Sequence, residues 1–301
     1  MATVVIAEKP SVARDIAAVL GADRRRPAAL AGNDYVVTWA IGHLVGIAEP
    51  AEMDAAWKAW RWERLPMIPG DWKLKVLSGT ADHFEAVRGI LNDPETERVV
   101  CATDAGREGE LIFRYVYALA GCNKPVERLW ISSLTPDAIR EGFAALRPGS
   151  DYDALAQAAE ARSRADWLVG MNLSRAYSLR HGPGVLSVGR VQTPTLAILV
   201  DRERAIRAFV PERYCEVHAT FGQGPADSYE ATWFDPSRVE DDGRKADRLP
   251  ADGELAGQIR DRCLGREGLV ISCAGNDRTQ PAPLLYDLTE LQRHANRLYG
   301  M

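Results

Sequence analysis

Three acidic side chains and one lysine stand where strand-like runs stop. Glu8 and Lys9 follow the β-branched run TVVIA, and Asp104 ends ERVVCATD (97–104). Asp104 opens DAGREGE, in which Glu108 follows at a spacing that one helical turn brings to the same side. Hard carboxylate oxygens of this kind suit Mg2+, which takes one or two carboxylates and keeps several of its waters. Lys9 beside them can counter phosphate charge in a phosphoryl transfer, where positioning and electrostatics carry most of the catalysis. The bland alternative is that these acids cap a helix and pair with Arg107 on a solvated surface, as most charged residues do.

A second group suggests nucleic-acid contact. SRADWLVGMNLSRAYSLRHG (163–182) carries Arg164, Trp167 and Arg175 at helical spacing. LSVGRVQTPTLAILVDRE (186–203) then brings Ser187, Val188, Gly189, Arg190, Val191, Gln192 and Thr193 to a Thr-Pro helix start. Arginines hold phosphates and aromatic rings stack on unpaired bases, while the free N–H groups of a helix start receive a phosphate. Trp167, Leu168 and Met171 read equally well as core. Trp57, Trp60 and Trp62, with Arg61 and Arg64 between them, either line a nucleic-acid path or pack an irregular loop.

These residues need a scaffold that gathers strand ends. TVVIAE has the character of a buried parallel strand, and Val12, Ile16, Val19 and Leu20 make one face of a following helix that stops at Gly21. YVVTWAIG (35–42) and ERLWISSL (127–134) read as further strands. Residues 80–91, 111–121 and 135–146 read as helices, the last opened by Thr-Pro, and 50–72 as irregular. Strands alternating with helices imply an α/β domain, a parallel sheet with flanking helices, over 1–148. In such sheets ligands bind beyond the carboxyl ends of the strands. After Arg147-Pro148-Gly149-Ser150, helices at 151–182 and 192–206 give a mainly helical part over 151–213. A β-rich part over 214–280 contains EVHATF, SYEATWF, a helix at 252–264 and a strand LVISCAG (269–275). Residues 281–301 read as an amphipathic helical segment.

The chain has 301 residues, 46% hydrophobic and 26% charged, the make-up of a globular protein with room for more than one domain. It contains no membrane-length apolar run, and no basic n-region precedes the first strand, so the expected compartment is the cytoplasm, with no membrane partner. Its five scattered cysteines form no CxxC pair, which argues against zinc and against a disulfide framework. A net charge of −5 argues weakly against nucleic acid. Distribution matters more than the sum, however. Arg162, Arg164, Arg175, Arg180 and Arg190 make 161–200 cationic, whereas Glu240, Asp241 and Asp242 lead an acidic stretch.

AEKPSVA followed by CATDAGREGELIFR resembles the Toprim domain of type IA DNA topoisomerases, of the topoisomerase III kind. The resemblance implies that Glu8 is a metal ligand and general acid, and that Lys9 steadies the scissile phosphate. It also places Asp104 and Glu108 in a metal-binding DxDxE pattern. Gly106 stands here in place of the middle acid, so the implied Mg2+ rests mainly on Glu8 and Asp104, with Glu108 nearby. The stretches 163–182 and 186–203 are similar to motifs of the domain that holds single-stranded DNA beside the Toprim domain. The implied DNA contacts are Trp60, Arg164, Trp167, Arg175 and 187–193. His43 in GHL matches a family motif with no role assigned.

The activity implied is Mg2+-dependent, ATP-independent breakage, passage and rejoining of single strands, relaxing negatively supercoiled DNA or decatenating it at the nucleoid. The lack of a GxxxxGK[ST] loop fits that. The family's nucleophilic tyrosine lies in a Thr-Tyr-Pro-Arg-Thr-like segment, which does not occur here; Tyr286 and Tyr299 match helix positions upstream of it. The expectation is therefore an incomplete β-rich arch domain over 214–280 and the start of the tyrosine-bearing domain over 281–301, with apolar surface exposed in both. Such a chain binds Mg2+ and single-stranded DNA without breaking strands alone; a missing half acting in trans stays open. So do two other readings, a catalytically silent single-stranded-DNA-binding module and a different Toprim enzyme such as a nuclease or primase.

Overall fold

A β-branched run with no polar face forms a strand only where both of its faces are covered. β1 (Ala2–Ala7) is such a strand in the computed structural model, which describes residues 1–222, 227–239, 245–275 and 277–300. Val4 and Ile6 enter one apolar cluster and Val5 and Ala7 the other, and all four are buried. The acidic run Glu240–Asp242 lies outside the described residues.

α1 (Pro10–Leu20) begins with proline, buries Ala13, Ile16 and Ala17, and ends at Gly21 with φ 71°. Two short strands that no apolar alternation announces come after it. β2 (Arg24–Arg26) and β3 (Ala29–Gly32) form an antiparallel extension leading into β4 (Tyr35–Trp39). Asn33 and Asp34, both at positive φ, make the two-residue hairpin turn between β3 and β4. β5 (Val45–Ile47), a single helical turn α2 (Pro50–Met53) and β6 (Leu74–Val76) come next, with β5 and β6 paired antiparallel. Between α2 and β6 the chain is mostly irregular, as expected from its prolines and tryptophans.

α3 (Ala81–Leu91) buries Phe84, Val87 and Leu91. β7 (Thr96–Ala102), α4 (Arg107–Leu119), β8 (Val126–Arg128), α5 (Pro136–Ala144) and β9 (Arg147–Pro148) complete a seven-stranded sheet in the order β2-β3-β4-β1-β7-β8-β9. Its middle, β4-β1-β7-β8, is parallel, and the outer strands are antiparallel. α3 and α4 cover one face, α1 and α5 the other. The expected strand 127–134 is cut short at Arg128, whose side chain turns into the interior, and Trp130 is already 43% exposed.

α6 (Asp153–His181) and α7 (Gln192–Arg207) belong to the same compact unit, Met1–Arg207. A second unit, Ala208–Met301, contains the antiparallel pairs β10 (His218–Phe221) with β11 (Tyr229–Thr232), and β12 (Asp235–Val239) with β13 (Lys245–Ala246). It also contains α8 (Glu254–Cys263) and α9 (Leu288–Tyr299). LVISCAG does not form the expected strand: it has no ladder partner among the described residues, and Leu269 and Ile271 are 87% and 92% exposed. Leu284 and Leu285 are also exposed, in keeping with the expected apolar surface.

All five cysteines are free. Burial pushes the Cys101 thiol up to about 11, so it stays protonated at neutral pH, whereas Cys263 and Cys273 are exposed. Iodoacetamide at pH 8 should therefore modify Cys263 and Cys273 in the native chain and spare Cys101 until denaturant is added, as read by peptide mass spectrometry. Native labelling of Cys101 at the same rate would contradict the burial of β7.

Candidate active site and nucleic-acid surface

The carboxyl ends of β1, β4 and β7 meet, and each delivers side chains with chemical capacity. Glu8 follows β1, is nearly buried, and accepts the Asp104 backbone N–H at 3.3 Å. Lys9 Nζ lies 3.6 Å from Glu8 and 3.5 Å from Asp104. Asp104 first, then Glu8, raise the Lys9 pKa above its ordinary value, so the ammonium is fully charged at neutral pH. Lys9 and Asp104 are more than half exposed in their side chains, and an ion pair so open to water is weak. Lys9 can therefore leave the pair for a phosphate at little cost.

Asp104 is held in place by a guanidinium that the sequence did not single out. Arg128, at the end of β8, is 1% exposed and donates to the carbonyls of Cys101, Thr103, Asp104 and Leu129 at 2.7–2.9 Å. Its charge is met by Glu110, also 1% exposed, at 3.1 Å. Glu110 in turn binds Arg114, which reaches Asp153 at 2.8 Å and the Gly149 carbonyl. Burial works against the Arg114 charge, but Glu110 and Asp153 together outweigh it and raise its pKa. Removing one partner of such a buried pair costs about 3–5 kcal/mol, because the other charge is stranded.

The turn DAGREGE is shaped by one of its glycines and not by the other. A Cβ on Gly109 would sit 2.1 Å from the Asp104 carbonyl oxygen, and the Gly109 carbonyl accepts the Thr103 hydroxyl at 2.7 Å. A Cβ on Gly106 meets nothing within 4 Å, and its φ of 179° suits any residue. Glu108 projects from the first turn of α4 and is engaged by His43, whose Nε2 donates to Glu108 Oε1 at 2.7 Å. The expected trio of Glu8, Asp104 and Glu108 is thus not gathered: among the described residues no three His, Cys, Asp or Glu side chains form a metal-holding group.

The donor set still fits a hard, hydrated cation. Glu8 and Asp104 both direct oxygens at one positive charge, that of Lys9, and Asp104 is open to water. Mg2+ needs only one or two carboxylates of this kind.

The residues of the second expected site divide between the interior and the surface. Trp167 and Arg175 are each 7% exposed. The Trp167 indole donates to the Ala48 carbonyl at 3.1 Å and its ring packs edge-on to Trp72. Arg175 donates to the Trp57 carbonyl at 2.6 Å and lies over the Trp60 ring. Arg164 pairs with Glu160 and lies 5.2 Å from the Trp72 ring. Asn172, between them, brackets the Met67 backbone, accepting its N–H at 2.6 Å and donating to its carbonyl at 3.0 Å. This face of α6 therefore carries the irregular chain 48–72. The aromatic rings and arginines that suggested stacking on bases are stacked on each other. Trp60 keeps 40% of its surface open, and Trp62, Arg61 and Arg64 are exposed.

The GRVQTP stretch does lie on a surface. Ser178 Oγ accepts the Leu186 N–H, and Ser174 Oγ accepts the Val188 N–H, so 186–188 runs back along α6. Ser187 accepts from the Gln192 amide, and the Gly189 N–H caps onto Thr193. Arg190 is exposed and pairs with Asp166 of α6 at 2.6 Å, and Val191 is 66% exposed. Ser174 and Ser178 were missed, although two serines four apart on a helix facing a Gly-bounded return were a usable signal.

The sequence model of the Toprim domain matches residues 3–134, and that of the DNA topoisomerase family matches 150–301. DNA topoisomerase 3 of Shouchella clausii (strain KSM-K16) is 45% identical over 296 residues, covering 98% of this chain and 39% of the relative. DNA topoisomerase 3 of Bacillus subtilis (strain 168) is 41% identical over 298 residues, again covering 39% of the relative. The chain thus spans about two fifths of the length of these curated relatives. Full-length topoisomerase I from Thermotoga maritima has a similar fold, with a TM-score of 0.62 at 23% identity, over 99% of this chain and 44% of that one.

Two substitutions in one turn should behave oppositely. Gly109→Ala improves helix propensity by about 1 kcal/mol, yet it should lower the Tm and weaken Mg2+ binding, because the Asp104 carbonyl must move. Gly106→Asp should fold normally and bind Mg2+ more tightly, as read by calorimetry. Arg128→Met should cost about 3–5 kcal/mol in urea unfolding. A stability change under about 1 kcal/mol would remove Arg128 from the role given to it.

Proposed function

The chain belongs to the DNA topoisomerase family, in its type IA, topoisomerase 3-like branch, and we propose that it supplies the cation- and strand-holding part of that family's reaction. The reaction is the ATP-independent breakage, passage and rejoining of single DNA strands, which relaxes or decatenates DNA in the cytoplasm, at the nucleoid. The division into parts at 1–148, 151–213, 214–280 and 281–301 belongs to the same reading. No described helix is long and apolar enough to cross a membrane.

The observation that carries the proposal is the Lys9 ammonium bracketed by Glu8 and Asp104 at the ends of two adjacent parallel strands. A divalent ion held by Glu8 and Asp104 would screen phosphate charge and stabilise charge on oxygens at the scissile position. Lys9 is charged and loosely held, and it turns to a phosphate oxygen. Glu8, nearly buried beside it, is placed to hold or give a proton at the leaving oxygen. Arg128 and Gly109 keep the Asp104 turn at the right distance from both. Arg190 and Val191 at one place, and the exposed Trp60 and Trp62 at another, provide groups with which phosphates pair and on which bases stack. Trp167 and Arg175 support the latter from inside.

None of the nine tyrosines lies in a Thr-Tyr-Pro-Arg-Thr-like segment. Tyr286 is the one whose hydroxyl contacts a histidine, His294, among the described residues. The expected behaviour is Mg2+ and single-strand binding with no covalent adduct.

Fluorescence anisotropy with a labelled single-stranded oligonucleotide tests the binding. Arg190→Ala should weaken it and lower the salt slope by about 0.7, the value of one lost phosphate contact on a single strand. An unchanged slope would take Arg190 out of the interface. Denaturing electrophoresis after incubation with Mg2+ tests the chemistry. An adduct abolished by Tyr286→Phe would mean that the nucleophile lies within these residues. Mg2+-dependent cleavage without an adduct would favour a nuclease.

A further inference from the structure

Glu108 has the chemistry of a third cation ligand and the position of one, yet its carboxylate is turned away. Its backbone is anchored beside Asp104: Gly109, the next residue, packs so close that a Cβ there would meet the Asp104 carbonyl at 2.1 Å. The Glu108 side chain itself is 63% exposed, so little holds it except His43 at 2.7 Å.

His43, by contrast, sits in a segment tied by backbone bonds to the strand that leads into Glu8. The Ala40 N–H donates to the Ala7 carbonyl at 2.8 Å, and the Gly42 N–H reaches the Glu8 carbonyl at 3.5 Å. Beyond it, the Leu44 carbonyl accepts the Thr80 hydroxyl at 3.2 Å. His43 and Glu108 border a cavity of about 210 Å3 whose far wall includes Arg162, Ser163 and Asp166 of α6. With 63% of its side chain exposed, Glu108 is little constrained by packing.

We propose that His43 is a positioning residue, a latch that holds the Glu108 carboxylate off the Glu8–Asp104 pair and so keeps a three-carboxylate cation site in reserve. The proposal rests on the reading of Glu8 and Asp104 as the cation site. With the latch closed, two carboxylates face the cation; with it open, Glu108 adds a third and the affinity rises.

Calorimetric titration of the 301-residue chain with Mg2+ alone, free of DNA, tests this without reference to activity. His43→Ala should bind Mg2+ with a lower Kd than the parent chain, and His43→Leu, which keeps the bulk of the loop, should do the same. The gain should vanish in His43→Ala/Glu108→Gln, which a merely structural role for His43 would not produce. Thermal melts confirm that each variant is folded. Equal or weaker Mg2+ binding in both His43 variants overturns the latch, as does a gain that survives Glu108→Gln. Asp104→Asn separates the two readings. If it abolishes binding while the His43 variants show no gain, the cation site stands and the latch falls. If it leaves binding unchanged, both fall.

Discussion

The buried contact between Arg128 and Glu110 sets the geometry of the turn that carries Asp104. A guanidinium with no access to water must direct all of its donors at the protein, and Arg128 directs them at four carbonyls and one carboxylate. Three of the carbonyls belong to the last residues of β7 and the turn beyond it. That turn is thereby fixed to β8 on one side and, through Glu110, to the first helical turn of α4 on the other. Replacing the pair with apolar side chains would not reproduce this, since nothing apolar can hold four carbonyl oxygens around one point.

α6 plays the corresponding part for the irregular chain packed along it. One face satisfies the backbone of an irregular stretch through Trp167, Asn172 and Arg175, and Ser174 and Ser178 tie down the return at 186–188. Irregular chain has no ladder of its own, so its N–H and C=O groups must find side-chain partners wherever they are buried. The polar residues of α6 meet that demand.

This is also why the sequence was only partly legible. β1, β4, β7 and the faces of α1 and α3 could be read because apolar periodicity reports burial directly. Glu8, Lys9 and Asp104 could be read because strand ends in a parallel sheet are where ligands go. Arg175 and Trp167 could be read either way for a physical reason: an arginine that serves a buried carbonyl has the same spacing as one that serves a phosphate. Arg128 went unnoticed in ERLW because a lone arginine is ordinarily on the surface. The hairpin β2–β3–β4 was missed although Asn33-Asp34 is a strong turn signal, since Arg24–Arg26 has no apolar alternation. LVISCAG has the composition of a strand, but composition cannot provide a neighbour to pair with.

The reach of the Arg128 network along the chain has one more consequence. Its members are drawn from residues 101–104, 110–114, 128–129 and 149–153, and the carbonyls of the Asp104 turn have no guanidinium to meet until residue 128 has arrived. A nascent chain that has emerged only as far as α4 already contains Glu8, Lys9 and Asp104, but it has nothing to hold the Asp104 turn in shape. The shape of the Asp104 turn is thus a property of the closed sheet and not of the segment that carries it. A partly synthesised or partly unfolded copy carries these side chains without the arrangement that brings them together.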